Sequence, residues 1–258
     1  PFEESVFSPR GKGLSAEVLQ YLMVAEIAGQ RGKLGIAVAN YLQAAKLSQD
    51  AGVAERASRI AIFARKDIAA LEASKIWVKL APEDAEAHQI LAAMLVRAGN
   101  IEDALKHFEK VLALSKKSEK KIFMLITSLL SKERDKNIAL DIMKRLINKH
   151  PESSSAYYAY ANLALLTKEY DIAGKAIDKA LRLKKHWNEA VVLKATILHR
   201  LGQDDEAIAW LDNELQQQPD NYKLRLYFAR KLVDARKYPL AYKEFSKVYS
   251  VNKSQAAL

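Results

Sequence analysis

Cysteine is missing from all 258 residues, and glycine (9) and proline (6) are scarce. Without cysteine there is no disulfide stapling, no thiolate nucleophile and no cysteine-ligated zinc or iron–sulfur centre. The same absence leaves the redox compartment open, because a cysteine-free chain tolerates cytoplasm and periplasm equally. No run approaches the roughly 18 consecutive apolar residues of a membrane span. The most apolar stretch, Ile122 to Leu130, contains Thr127 and Ser128 and is bracketed by Lys120, Lys121 and Lys132. Alternating Val/Ile/Thr runs with hairpin turns are absent too, so β architecture finds no support. At 50% apolar and 28% charged, the composition excludes disorder and collagen.

Catalytic signatures are equally thin. His88, His107, His150, His186 and His199 show no HExxH spacing. Gly11-Lys12, Gly32-Lys33 and Gly174-Lys175 lack both the following Ser/Thr and the earlier glycine of a phosphate loop. No Gly-x-Ser-x-Gly elbow occurs. Acidic pairs such as Glu83-Asp84 and Asp204-Asp205 stand at helix starts, where the helix dipole already accounts for them. The expectation is a non-enzyme with no cofactor and no metal.

What is present is charge and period. The 41 basic and 31 acidic residues give +10. Residues 1–118 hold 16 Lys+Arg against 14 Asp+Glu, while the remainder holds 25 against 17, so the surplus belongs to the second half. A basic field attracts nucleic acid, anionic lipid or an acidic protein, although mixed-sign charge on solvated helices is its ordinary explanation.

Ala/Leu/Lys/Glu-rich segments with apolar positions three and four apart predict an all-helical chain. Small residues recur at Ala37, Ala70, Ala104, Ala139, Ala173, Ala207 and Ala241, a period of 33 to 35. A second ladder keeps step at Ala25, Ser58, Ala92, Thr127, Ala161, Ala195 and Ala229. Small side chains at both places let paired helices approach closely. A larger apolar residue follows four positions after most of the first set (Tyr41, Phe108, Met143, Ile177, Leu211, Phe245), with Ser74 the exception. Gly32, Gly99 and Gly202 fall where a helix end needs a left-handed residue. Pro82, Pro151 and Pro219 close units ahead of Ser, Asp or Asn helix starts. Trp77, Trp187 and Trp210 read as packing between repeats. Of Tyr157, Tyr158 and Tyr160, some must pack while another faces solvent or groove.

These ladders and turns resemble the tetratricopeptide repeat, a 34-residue helix-turn-helix. The resemblance implies a right-handed superhelical solenoid of about seven hairpins. It divides the chain into a tail at 1–17 and one array over 18–258, with units near 18–50, 51–84, 85–119, 120–153, 154–187, 188–221 and 222–255. The family's first-helix tryptophan is replaced by Tyr21, Ala54, His88, Phe123, Tyr157, Val191 and Arg225. Arg225 predicts looser packing in the last unit. RNA-reading pentatricopeptide repeats have a 35-residue period and lack the alanine pair, so they fit poorly.

In such an array the first helices line a groove. Its candidate docking residues are Glu55, Arg59, Gln89, Arg97, Tyr158, Asn162, Thr196, His199, Arg200 and Arg230, suited to a peptide backbone and carboxylates. The carboxylate clamp for chaperone tails is not expected, because only Asn162 matches it and Tyr158 stands where lysine is required.

The stretches Ala-Glu-Ile-Ala-Gly-Gln-Arg-Gly (25–32) and Gly-Val-Ala-Glu-Arg-Ala (52–57) resemble, more narrowly, tetratricopeptide lipoproteins of gamma-proteobacteria. The studied member of that group is an outer-membrane adaptor for a periplasmic carboxyl-terminal processing protease. This resemblance implies a removed lipoprotein signal ahead of Pro1, a periplasmic location at the outer membrane, and further repeats after Leu258. Val248, Tyr249 and Val251, left without a following helix, agree with that last expectation. Three readings follow: a protein-binding scaffold or adaptor of the cell envelope, a basic nucleic-acid-binding repeat, and a non-catalytic arm of a larger enzyme. The first is favoured; a cytoplasmic scaffold is the alternative location.

Overall fold

A computed structural model describes residues 14–255, and side chains through residue 249. Of the expected tail at 1–17, residues 1–13 lie outside the described residues, as does the side chain of Val251. Among the described residues there are fourteen helices and no strand. They form two compact units.

Unit 1 contains α1 (Ala16–Gln30), α2 (Leu34–Ser48), α3 (Ala51–Phe63), α4 (Asp67–Leu80), α5 (Ala85–Arg97) and α6 (Ile101–Leu114). Unit 2 contains α7 (Glu119–Leu130), α8 (Lys136–Lys149), α9 (Ser154–Leu166), α10 (Tyr170–Leu183), α11 (Asn188–Arg200), α12 (Asp204–Gln217), α13 (Tyr222–Asp234) and α14 (Tyr238–Gln255). Consecutive helices pair as α1–α2, α3–α4 and α5–α6 in unit 1 and α9–α10, α11–α12 and α13–α14 in unit 2, while α7 and α8 both pack on α9; this is the all-α repeat the ladders predict.

Both ladders are buried along their whole length. Every member is at most 6% exposed, including the polar Ser58 and Thr127. Those two hydroxyls donate within their own helices, to the carbonyls of Ala54 (2.9 Å) and Phe123 (3.0 Å), so neither is left unsatisfied. Around them pack Tyr41, Phe108, Met143, Ile177 and Leu211, all nearly inaccessible. In α4, where Ser74 interrupts this series, the buried Trp77 is three residues on.

Helix starts follow the unit-closing prolines as expected. Asp84, Ser153 and Asn221, each two residues past a proline, accept from backbone N–H groups in the first turns of α5, α9 and α13. Helix ends were only half legible. Gly32, Gly99 and Gly202 hold φ of 70°, 77° and 77°, but Arg65, Lys168 and Arg236 take the same left-handed turn position at 55°, 67° and 57°. A paired motif stabilises them: the N–H of Arg65 reaches the Ile62 carbonyl (3.0 Å) and that of Lys66 reaches Ala61 (2.9 Å). The fourth repeat departs from the three-residue turn. Residues 131–135 separate α7 from α8 because α7 ends three residues after Thr127, whereas α5 runs five past Ala92; the extra residue of the 35-residue step lies earlier, between Ala104 and Thr127. Lys136 Nζ ties the longer turn by donating to the carbonyls of Ser131 (2.9 Å) and Glu133 (2.8 Å).

Arg225 corrects an expectation. It is not loosely packed: Nη1 donates to Glu244 (2.5 Å), Nη2 donates to the Pro219 carbonyl (2.5 Å), and its side chain is only 13% exposed. His88 does the same at the equivalent repeat position. Its Nε2 pairs with the Pro82 carbonyl (2.9 Å) and its Nδ1 with His107 Nδ1 (2.7 Å). In both units a polar pair 19 residues apart replaces an apolar crossing between first and second helix.

Candidate protein-docking face

In unit 1 the predicted first-helix residues lie within ion pairs. Arg59 Nε donates to Glu55 (2.8 Å) and Nη2 to Glu86 (2.8 Å), and its guanidinium lies 5.9 Å from the Trp77 ring centre. The Glu55 hydrogen bond, with help from Glu86, raises the Arg59 pKa further above its ordinary value. Arg97 donates to Asp67 (3.2 Å), and Gln89 is half-buried.

Beside them is a network that sequence reasoning missed. Glu26 pairs with both Arg56 and the Tyr41 hydroxyl, and Arg56 Nε donates to that same hydroxyl (2.7 Å). Burial first, then the Glu26 bond, pushes the Tyr41 phenol up to about 12. These side chains, with Gly29, Ile60 and Phe63, line an open cleft of about 380 Å³.

Unit 2 places its candidates differently. Tyr158 stacks at a tilt on Trp187, ring centres 4.6 Å apart. Lys120 Nζ lies 5.7 Å from the first ring centre and 5.5 Å from the second. That ammonium also donates to Glu189 (2.6 Å), the main reason the Glu189 carboxyl titrates below its usual range. Cation, two rings and carboxylate thus link α7, α9 and the start of α11. Lys120 and Glu189 are 69 residues apart, so no motif spacing announces them. The one available hint is that Glu86 and Glu189 both stand six residues before their ladder residue, and each binds a cation from an earlier repeat.

Further along this face, Asn162 Nδ2 donates to the Tyr158 carbonyl (2.9 Å), leaving its amide oxygen without a recorded donor. Thr196 Oγ1 donates to the Val192 carbonyl (2.9 Å) and meets the Tyr227 hydroxyl (3.2 Å). His199 Nδ1 pairs with Asp204 (2.6 Å). Arg200 and Arg230 are exposed, and among the described residues no carboxylate pairs with either. The tyrosine cluster resolves into three roles: Tyr160 is buried, Tyr157 takes Lys179 over its ring at 5.8 Å, and Tyr158 supplies the platform above. Trp187 is buried, and half-buried Trp210 donates through Nε1 to the Val191 carbonyl (3.1 Å).

Among the described residues no cluster of three or more His, Asp or Glu is arranged to hold a metal ion. Among them also, no helix is long and apolar enough to cross a membrane. The face offers stacking, charge-assisted hydrogen bonds and amide acceptors, the means of holding an extended chain.

Comparison with known proteins agrees with the helical pairs. The tetratricopeptide repeat family model matches residues 64–119, 124–188 and 169–222, more than half of the chain. A TPR repeat-containing protein of Pseudomonas aeruginosa is 29% identical over 235 residues, covering 89% of this chain. The chain spans only 39% of that relative's length. Among solved structures, a tetratricopeptide repeat protein from Parabacteroides merdae is similar at 13% identity and a TM-score of 0.42, covering 92% of this chain and 93% of its own. A thermophilic TPR protein of Thermus thermophilus is similar at 22% identity and 0.42, covering 71% and 100%.

Proposed function

The chain belongs to the tetratricopeptide repeat family, and from that premise we propose that it is a non-catalytic scaffold that docks an extended protein segment on its first-helix face. Repeats of this family generally serve as protein-interaction scaffolds, and the fold is typically non-catalytic. The observation that carries the proposal is on the unit 2 face: Arg200 and Arg230 are exposed, and neither is paired with a carboxylate among the described residues. Such a face favours a partner that supplies carboxylates and backbone amides.

The finer reading places this scaffold in the bacterial envelope, as an outer-membrane lipoprotein adaptor that brings substrates or a periplasmic protease together. Its support is the resemblance of residues 25–32 and 52–57 to that lipoprotein group. The experiment is affinity purification from envelope extract with wild type and an Arg200→Glu/Arg230→Glu variant. The reading expects the same protein to be recovered repeatedly by wild type and lost by the variant. Repeated recovery of no protein, or equal recovery by both, overturns it.

A further inference from the structure

The groove is not the only prepared surface in unit 2. Helix α10 forms a wall of two clefts on the second-helix side. One, of about 300 Å³, lies between α8, α9 and α10 and is lined by Tyr157, Tyr160, Ile147 and Ile172, with Lys144 and Lys175 at its rim. The other, of about 400 Å³, lies between α10, α11 and α12 and is lined by Leu181, the Trp210 ring with Lys194 Nζ 4.1 Å from its centre, the carboxylates Asp178 and Glu214, and the cations Arg182 and Lys185.

Local carboxylates do not consume these charges. In the same region Lys194 pairs with Asp178 (2.8 Å) and Arg145 reaches Asp141 (3.8 Å). Among the described residues none pairs with Lys144, Lys175, Arg182 or Lys185. Each cleft therefore combines an aromatic ring and apolar side chain with two cations that no local carboxylate pairs among the described residues; in the second, Asp178 and Glu214 are held by Lys194 and His186. An apolar side chain flanked by a carboxylate matches that combination, because the ring and its apolar neighbour bury the one while the ammonium or guanidinium holds the other.

The clefts lie on either side of α10, displaced by roughly 11 Å along it and by roughly 10 Å, a helix diameter, across it, or about 15 Å in all. An extended chain rising about 3.4 Å per residue covers that with apolar side chains about four or five residues apart. Nucleic acid fits less well. Asp141, Asp171 and Asp178 interrupt the basic track, and a phosphate backbone needs it continuous. We propose that the α10 surface is a second docking site, separate from the first-helix face, for an acidic peptide segment carrying two apolar side chains about four or five residues apart.

The test is a random twelve-residue peptide library displayed on phage and panned against the full chain. Selected peptides are then measured by fluorescence anisotropy on wild type and on a Lys175→Glu/Arg182→Glu variant. Both residues are exposed, so the variant retains its fold, which circular dichroism checks. The proposal expects an enriched class with net negative charge and paired apolar residues, binding the variant at least tenfold more weakly and an Arg200→Glu/Arg230→Glu variant unchanged. Failure of the groove reading leaves this result untouched. Absence of any peptide class sensitive to the α10 reversal overturns the proposal. So does a thirty-nucleotide oligothymidine that binds wild type in a steeply salt-dependent way, is lost on the α10 variant and displaces the peptides.

Discussion

Units 1 and 2 are built from the same repeat yet treat the candidate arginines of their first helices differently. In unit 1 Arg56, Arg59 and Arg97 each pair with a carboxylate from another helix, Glu26, Glu86 and Asp67. In unit 2 Lys120 and Lys194 are paired, but Lys144, Lys175, Arg182, Lys185, Arg200 and Arg230 are not among the described residues. At the candidate first-helix positions, unit 1 commits Arg59 and Arg97 to ties between repeats, while Arg200 and Arg230 of unit 2 have no carboxylate among the described residues. Elsewhere both units hold cations of either kind, Arg31, Lys66 and Lys75 of unit 1 being without a carboxylate partner among the described residues and Lys237 of unit 2 being paired with Asp205.

The comparison breaks most readily at a nearly buried ion pair of unit 2, Arg225–Glu244. Glu244→Leu strands Arg225, and removing one partner of such a pair costs about 3 kcal/mol. Burial alone raises the Glu244 pKa, but the hydrogen bonds from Lys247 and Arg225 outweigh it and hold the carboxyl below its usual range. Hydrogen exchange resolved by segment is expected to show lost protection in α13 and α14 with α1–α6 unchanged. Next in size is backbone strain, shared by both units. Arg65→Gly, Lys168→Gly and Arg236→Gly each relieve a left-handed non-glycine residue and are expected to stabilise their pair by about 1 kcal/mol in urea denaturation. Gly99→Ala is expected to move stability the other way.

A smaller effect belongs to unit 1 alone. Burial first, then the adjacent His88, lowers the His107 pKa below its ordinary value of about 6.5. The Pro82 carbonyl calls for an N–H on His88 Nε2, so neutral His88 accepts the His107 Nδ1–H, and protons on both rings would oppose N–H groups. Asp103 and Lys106 act on His107 in opposite directions. The folded state binds fewer protons than the unfolded one. This contribution to stability is therefore complete above about pH 6.5 and is lost as pH falls through that value toward the folded pKa. His107→Phe is expected to flatten the pH dependence of α5–α6 exchange. Smallest of all, Arg59→Gln breaks exposed pairs and is expected to cost no more than about 0.5 kcal/mol.

Much of the fold was legible because a solenoid repeats its backbone constraints. Ala37 to Ala241 and Ala25 to Ala229 mark close helix approaches, and Asp84, Ser153 and Asn221 mark helix starts, through requirements local to each unit. Arg65, Lys168 and Arg236 escaped because tertiary packing and paired backbone bonds hold them where intrinsic preference favours glycine. Arg225 misled for a related reason: its partner Glu244 sits one helix on, and only the crossing geometry joins them. At the candidate site Tyr158 was legible from its place in the first helix of its repeat, three residues before Ala161. Lys120 and Glu189 were not, since side-chain reach across two repeats leaves no spacing to detect. The α10 clefts escaped as well, because a cleft belongs to three helices rather than to one face.

The account's central claim is that the first-helix face of unit 2, not that of unit 1, keeps its arginines for a partner, and site-directed photo-crosslinking in the cell tests it most directly. Benzoylphenylalanine at Asn162, Arg200 or Arg230, and at Arg59 or Arg97, samples the first-helix face of each unit with a single chemistry. The account predicts discrete protein adducts from the unit 2 positions and few from unit 1. Adducts confined to Arg59 and Arg97, or none at any position, would contradict it.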